Sequence, residues 1–266
     1  MRLTSALFAS AILWLWSEPA AAVDEEPICV DRPGIGTPTC TVPAGMLQLE
    51  TSIIDWTGDR VGRVRNSELN IGDTAVKFGV TDRFHLELDI TPSVRIRTRE
   101  GAVREGGSGF GDFVLAAKYR LTRDSAPVQI AVLPFVKVPT AKRSVGNGKV
   151  EGGVIVPIEY EIPGSQLSLG LSPQFDVNAD SDGTGHHLAT ALVISLAIPL
   201  TGRLSASAEL LGYWDFDPSD TGRQSAIGGS TAYLISKNVQ LDAGANLGLN
   251  RNTPDVQLYS GIAFRL

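Results

Sequence analysis

Two groupings of histidines with carboxylates are the first places where this sequence could do chemistry. His85 precedes Glu87 and Asp89 by two and four residues, a spacing that in an extended chain turns all three side chains to one side, as an acid/base trio would need. His186 and His187 are adjacent and follow Asp180 and Asp182 in a glycine-rich stretch, where imidazole and carboxylate donors could gather round a metal ion. Neither group comes with a nucleophile. Ser195, in Val193-Ile194-Ser195-Leu196, lacks a Gly-x-Ser-x-Gly elbow, and no HExxH, calcium loop, phosphate loop or Gly-rich dinucleotide fingerprint occurs. The expectation is lining or hydrogen bonding for His85 and a loop surface for His186 and His187. No enzyme, metal or cofactor is expected.

Cys29 and Cys40 are the only cysteines, and the residues between them include Pro33, Gly34, Gly36 and Pro38. They lack the spacing of a redox pair and have no companion ligands nearby. In an oxidising compartment the expected bond is a local disulfide, which by the loop-entropy estimate stabilises by about 2 to 3 kcal/mol. That staples a segment without defining a fold.

The compartment follows from the start of the chain. Arg2 leads into an apolar run over 6–16, and Ala20 and Ala22 then form a small-x-small cleavage signal, so residues 1–22 read as a signal peptide cleaved near Ala22. The apolar run is too short to span a bilayer as a helix, and no longer one follows. With 23 Lys and Arg against 29 Asp and Glu, a net charge of -6 and 43% hydrophobic residues, neither a nucleic-acid partner nor disorder is expected.

The elements that must position these residues are strands. Phe84-His85-Leu86-Glu87-Leu88-Asp89-Ile90 sends four large apolar side chains one way and His85, Glu87 and Asp89 the other, and 46–53 alternates in the same manner. About twelve such strands fit: near 46–53, 69–80, 84–90, 113–121, 128–138, 150–161, 166–177, 188–199, 203–214, 224–234, 240–250 and 256–266. Connections after even-numbered strands are short. Those after odd ones, at 58–68, 97–111, 139–149, 178–187, 215–223 and 251–255, are mostly longer and rich in Gly, Asp, Ser and Asn. That asymmetry and the even strand number describe an outer-membrane barrel. The mature chain offers no amphipathic helix to cover the apolar faces, so lipid must cover them, and closure is required because unpaired backbone groups in hydrocarbon are costly.

The expected fold is thus all-β: a single antiparallel transmembrane β-barrel over 44–266, preceded by a segment at 23–43. That segment can lie in the lumen, across the periplasmic mouth or outside the barrel. The inward phase supplies the lumen-lining candidates Glu50, Lys77, His85, Glu87, Asp89, Lys118, Phe135, Lys137, Glu159, Asp176, Glu209, Asp242 and Arg265. Twelve strands enclose a lumen between the packed interior of eight-stranded barrels and the open channel of sixteen-stranded porins. The chain ends on Leu266 where barrels of this kind often end on an aromatic residue, although Phe264 keeps an aromatic in the outward phase.

Several phrases also carry a family likeness: Thr41-Val42-Pro43-Ala44-Gly45-Met46-Leu47-Gln48-Leu49-Glu50, the hairpin from Gly72-Asp73-Thr74 through Gly79-Val80-Thr81-Asp82-Arg83-Phe84-His85-Leu86-Glu87-Leu88, and Gly109-Phe110-Gly111-Asp112 leading into Ala117-Lys118-Tyr119-Arg120-Leu121. Leu133-Pro134-Phe135-Val136-Lys137-Val138-Pro139-Thr140 and Gly146-Asn147-Gly148-Lys149-Val150-Glu151-Gly152-Gly153 continue it. Over nearly all of the mature chain the sequence resembles the bacterial outer-membrane barrel family named for the MetA pathway of phenol degradation. The resemblance implies outer-membrane handling of aromatic compounds and assigns no catalytic residue; the Cys29 and Cys40 pair is not expected throughout that family. The expected function is a channel for passive passage of small organic, including aromatic, solutes, with a structural or binding barrel of closed lumen as the alternative and an outer-membrane enzyme below it. The expected partners are outer-membrane lipid and lipopolysaccharide, the barrel-assembly machinery and small organic solutes.

Overall fold

The computed structural model describes residues 26–266 except 124; the expected signal peptide lies outside the described residues. One antiparallel sheet closes on itself. Its strands are β1 (Leu47–Val61), β2 (Val64–Ile71), β3 (Asp73–Thr81), β4 (Phe84–Ile90), β5 (Ser93–Glu100), β6 (Val103–Gly109), β7 (Phe113–Arg120) and β8 (Val128–Val138), followed by β9 (Glu151–Ile155), β10 (Ile158–Glu161), β11 (Ser168–Ala179), β12 (His186–Pro199), β13 (Leu204–Asp215), β14 (Gly222–Ser236), β15 (Val239–Gly248) and β16 (Val256–Arg265). The wall runs β1, β3, β4, β7, β8, then β9 with β10 as one interrupted strand, then β11 to β16, which returns to β1. This is a closed barrel of twelve strands.

Closure is continuous. Gln48 stands opposite Arg265 and Gly58 opposite Val256, and Leu47 and Leu266 exchange both backbone hydrogen bonds, at 3.0 and 2.7 Å. Among the described residues no strand edge is left in the wall, as a sheet in hydrocarbon requires.

The alternation of side chains sorts by medium. Outward positions such as Phe78, Leu86, Leu115, Leu188, Leu210, Ile227 and Leu258 are exposed, Leu188 at 62%, while inward positions such as Gln48, Lys77, His85 and Lys118 are 1% exposed or less. That inverts the usual order of a water-soluble domain. Aromatic side chains flank the apolar belt, with Phe78, Tyr119, Tyr160 and Tyr233 exposed toward the short-turn rim and Phe175, Trp214 and Phe216 exposed toward the long-loop rim, where Trp56 is half-buried, the girdles of a membrane barrel.

Two stretches expected as loops are strand instead. Residues 58–68 and 97–111 carry β1 on to Val61, start β2 at Val64, and hold the second half of β5 and all of β6. β2 pairs with β1 and β5, and β5 with β6, so the four strands rise above the long-loop rim as a blade. Apolar alternation does not mark them because the outward face carries arginines and the inward one, against which Ser144 and Val145 pack beside Gly107 and Gly109, is largely polar. Conversely, the strand expected over 150–161 is interrupted at Val156-Pro157, since proline offers no N–H to the ladder. The neighbouring groups reach the wall singly, Val156 N–H donating to Pro173 O and Ala131 N–H to Pro157 O, both at 2.9 Å.

Candidate functional site

The candidate site is the barrel interior, and a segment of the chain itself occupies it. Residues 26–43 enter at the short-turn rim, where Arg265 donates to Glu26 O at 2.8 Å and Ile28 N–H to Lys237 O at 2.6 Å. The segment climbs into the lumen, turns at Gly34-Ile35-Gly36 and descends to the same rim, where Thr41 and Ala44 donate to Asp82. Cys29 and Cys40 form a disulfide across the base of this loop, with Cα atoms 6.3 Å apart.

Almost every anchor joins a wall side chain to the segment. Glu50 accepts from Asp31 N–H at 3.0 Å. Glu209 accepts from Ile35 and Gly36 N–H at 2.7 and 3.0 Å, and Glu159 takes both the backbone N–H and the hydroxyl of Thr39. Ser172 receives the Thr37 N–H at 3.1 Å. Arg32 pairs with Asp242 at 2.9 Å and donates to Ser52. Backbone N–H groups in an irregular loop need partners once buried; here inward carboxylates supply them. Gly34 explains the tight approach at the tip, because its φ is +123° and an added Cβ would lie 2.8 Å from the Glu209 carboxylate oxygens.

Charge locks the base of the loop. Asp31 lies 2.7 Å from Lys77 Nζ and also pairs with Lys118, while Lys77 reaches Glu50 at 2.5 Å and Lys118 donates to Pro38 O at 3.1 Å. Burial would push the Asp31 carboxyl up, but the Lys118 and Lys77 ammonium groups outweigh it and hold it well below the usual carboxylate range.

Of the histidines, His85 accepts the Val42 N–H at Nδ1, 3.1 Å away, so its ring proton resides on Nε2, which lies 3.5 Å from Glu87. Its partner is thus the descending arm of the segment. Glu87 and Asp89 share its inward phase. Lys137 pairs with Glu151 at 2.5 Å near the long-loop rim, Asp176 accepts from Gln174, and Arg265 anchors Asn238. Phe135 borders the interior beside Gly153. Ser195 faces the tip at Gly36, and among the described residues no serine or threonine hydroxyl bonds either imidazole of His85 or His187.

His187 is the centre of a separate cluster at the long-loop rim. Its Nδ1 lies 2.8 Å from Asp180 and 3.9 Å from Asp217, and its Nε2 lies 2.7 Å from Asp215. Ser219 and Ser181 N–H groups donate to Asp217 and hold its carboxyl below the usual range. The cluster ties the loop at 180–185 to the loop at 216–221. His186 is directed elsewhere, toward Val150 O at 3.2 Å.

Sequence reasoning missed Asp31, Arg32 and the neutral inward residues Gln48, Ser52, Ser172, Gln240 and Tyr259. Gln48, Ser52 and Tyr259 share the inward phase of their strands with the charged candidates, and that phase was the available signal. Asp31 and Arg32 lie in a stretch with no period. Above the segment two cavities of about 220 and 210 Å³ remain, the first bordered by Arg32, Ile35, Asp55 and Tyr259 and the second by Ile35, Leu211 and Gln257.

A family model described as "Putative MetA-pathway of phenol degradation" matches residues 30–266. Among solved structures the chain is similar to the outer membrane channel from Pseudomonas putida F1, at 14% identity, covering 88% of this chain and 99% of that one with a TM-score of 0.59. It is also similar to the NanC porin, at 11% identity over 80% of this chain and 100% of that one with a TM-score of 0.51. The translocator domain of autotransporter NalP from Neisseria meningitidis follows at 11% identity, 85% and 90% coverage and a TM-score of 0.50. At these identities the likeness is one of fold. No curated protein matches.

Proposed function

The chain belongs to the family described as "Putative MetA-pathway of phenol degradation", and from that premise and the occupied lumen we propose that it is an outer-membrane channel for small organic solutes, aromatic ones included, whose passage residues 26–43 control. The observation that carries this reading is how the segment is held. Its anchors are hydrogen bonds and ion pairs to inward side chains, and water in a partly displaced lumen would satisfy the same groups. A segment sealed by apolar packing would resist displacement far more strongly, because nothing would repay its exposure.

The lining candidates then divide by role. Lys77, Lys118, Glu50, Glu159, Glu209 and Asp242 hold the segment. Phe135 and Leu133, on the wall near the interrupted strand, supply apolar surface for an aromatic solute, and flow is passive, down a concentration gradient. The signal peptide at 1–22 sends the chain out of the cytoplasm, and the barrel-assembly machinery inserts it with β16 as the closing strand.

The test is solute movement into liposomes containing the refolded full-length chain, with an aromatic acid and a sugar of similar size compared at two pH values. A second preparation replaces Asp31 by Asn and Arg32 by Gln to loosen the segment. Faster movement in the loosened variant than in the parent, aromatic acid ahead of sugar, supports the reading. Equal, protein-independent movement in both preparations would leave a barrel of closed lumen with a structural or binding role.

A further inference from the structure

The blade above the long-loop rim segregates its charges completely by face. Register sets Arg60 opposite Arg65, Arg65 opposite Arg99, and Arg99 opposite Arg104, a transverse row of four arginines across β1, β2, β5 and β6. Directly opposed residues share a face. Arg97 and Arg95 lie two and four positions along β5 from Arg99 and therefore join them. The acids take the other side: Asp59 is opposite Asn66, Asn66 opposite Thr98, and Thr98 opposite Glu105.

The arginine face is the outward one. Along β1 it continues from Arg60 through Gly58 to Trp56, which stands opposite Leu258, an exposed side chain of the lipid-facing belt. All six arginines are exposed. Among the described residues none forms an ion pair, and their only hydrogen bonds are long ones of 3.3 Å from Arg60 to Gly62 O and from Arg99 to Gly101 O. Like charges directly opposite in a sheet repel, so the row asks for an anion. A groove of about 420 Å³ lies along it, bordered by Arg60, Arg65, Arg97 and Arg99 and by two acids, Asp59 and Asp255, so four guanidinium groups outnumber two carboxylates there.

Its height above the membrane core follows from the run of β4 into β5. From Phe84 at the short-turn rim to Arg95 the chain advances about 25 Å along the barrel axis, at roughly 3.3 Å per residue and a tilt near 45°, which is the height of the apolar band. Arg95 thus stands at headgroup level, with Arg97, Arg99 and the row above it.

We propose that this face binds the phosphate groups of the phosphorylated glycolipid, lipopolysaccharide, that forms the outer leaflet. The inference rests on the outer-membrane part of the reading above and not on solute passage. Guanidinium groups match phosphate oxygens in pairs, and a flat two-dimensional array of them suits a headgroup bearing more than one phosphate. A solute in transit does not meet this face, because the face points away from the lumen.

The experiment measures binding of the full-length chain in detergent micelles to lipid A, to the same lipid with its phosphates removed, to phosphatidylglycerol and to inorganic phosphate. The parent is compared with Arg65→Gln/Arg99→Gln and with Asp59→Asn/Glu105→Gln on the opposite face. Heat-dependent gel mobility confirms that each variant is a folded barrel. Binding of lipid A that weakens about tenfold or more both on dephosphorylation and in the arginine variant, and holds in the acidic-face variant, is the expected result. Equal binding of the dephosphorylated lipid, unchanged binding by the arginine variant, or binding of phosphatidylglycerol or inorganic phosphate as tight as that of lipid A would overturn it. Solute flux measured on the same preparations separates the two proposals, since flux without glycolipid binding removes only this one.

Discussion

The Lys77 ammonium of the barrel wall lies 2.7 Å from the Asp31 carboxylate of the amino-terminal segment, and this ion pair is buried on the lysine side. It couples the wall to the segment in a way that removal of either charge should expose.

Replacing Asp31 by Asn leaves Lys118 without a carboxylate, since its other partner is Pro38 O, whereas Lys77 keeps Glu50. Breaking a buried pair from one side typically costs about 3 to 5 kcal/mol. The expected outcome is a segment that opens to proteolysis and a rise in solute flux, with the barrel still heat-modifiable. Intact protection of the segment in the variant would contradict the assigned lock.

Acid should reach this lock late. Because the folded Asp31 carboxyl is held below its ordinary value, its stabilising contribution is complete above the unfolded value of about 3.9 and fades as pH falls from there toward the folded one. Single-channel conductance between pH 5 and 8 should therefore show no opening from this group. Opening should begin only in stronger acid, and a midpoint near neutrality would rule out Asp31 as the controlling residue.

Reduction of the Cys29 and Cys40 disulfide, or Cys29→Ser/Cys40→Ser, should loosen the segment by about 2 to 3 kcal/mol through the unconstrained loop. Hydrogen exchange should quicken at Ile35 and Gly36, whose N–H groups face Glu209, while exchange in β12 to β15 stays slow. Uniform acceleration across the wall would mean that the bridge stabilises the barrel instead.

At the tip, Gly34→Ala combines a φ of +123° with a Cβ 2.8 Å from Glu209. A strained backbone of this kind costs about 1 to 3 kcal/mol. Flux should increase, and Glu209→Gln should raise it by weakening the same contact. Additive effects of the two changes would argue against a shared contact.

The lipid-facing assignment is open to a direct challenge at Leu210, which is 50% exposed on the outer wall. Leu210→Arg should destabilise the barrel in bilayers by about 2 to 4 kcal/mol if the residue sits near the midplane. Ser207→Arg, on the inward side beside Ser230, would meet the lumen instead, and the two unfolding curves should separate accordingly.

The strands were legible wherever two faces meet different media. Phe84 to Ile90 alternates because Leu86 meets lipid while His85 and Glu87 meet the interior, and the same contrast marks β15 and β16. The blade escaped notice for the converse reason. Arg95, Arg97 and Arg99 alternate with Ile96 and Thr98, but the outward face is charged and the inward face largely polar, so no apolar period rises above the glycines and charges around it. The break at Val156-Pro157 was visible only as a proline inside a strand phrase. The charged lining residues could be read from their phase, yet what they hold could not. Asp31, Arg32 and Ile35 meet Lys77, Asp242 and Glu209 only because the segment folds back through the lumen, and such long-range pairings leave no mark on local spacing.

The mutual hydrogen bonds of Leu47 and Leu266 make the wall a ring whose first and last strands are each other's neighbours. Loss of β16 would therefore strip partners from β1 and β15 together, leaving two raw edges in hydrocarbon rather than one weakened strand. Such a ring tolerates no partial version of itself, and truncations within 256–266 should abolish insertion instead of grading it.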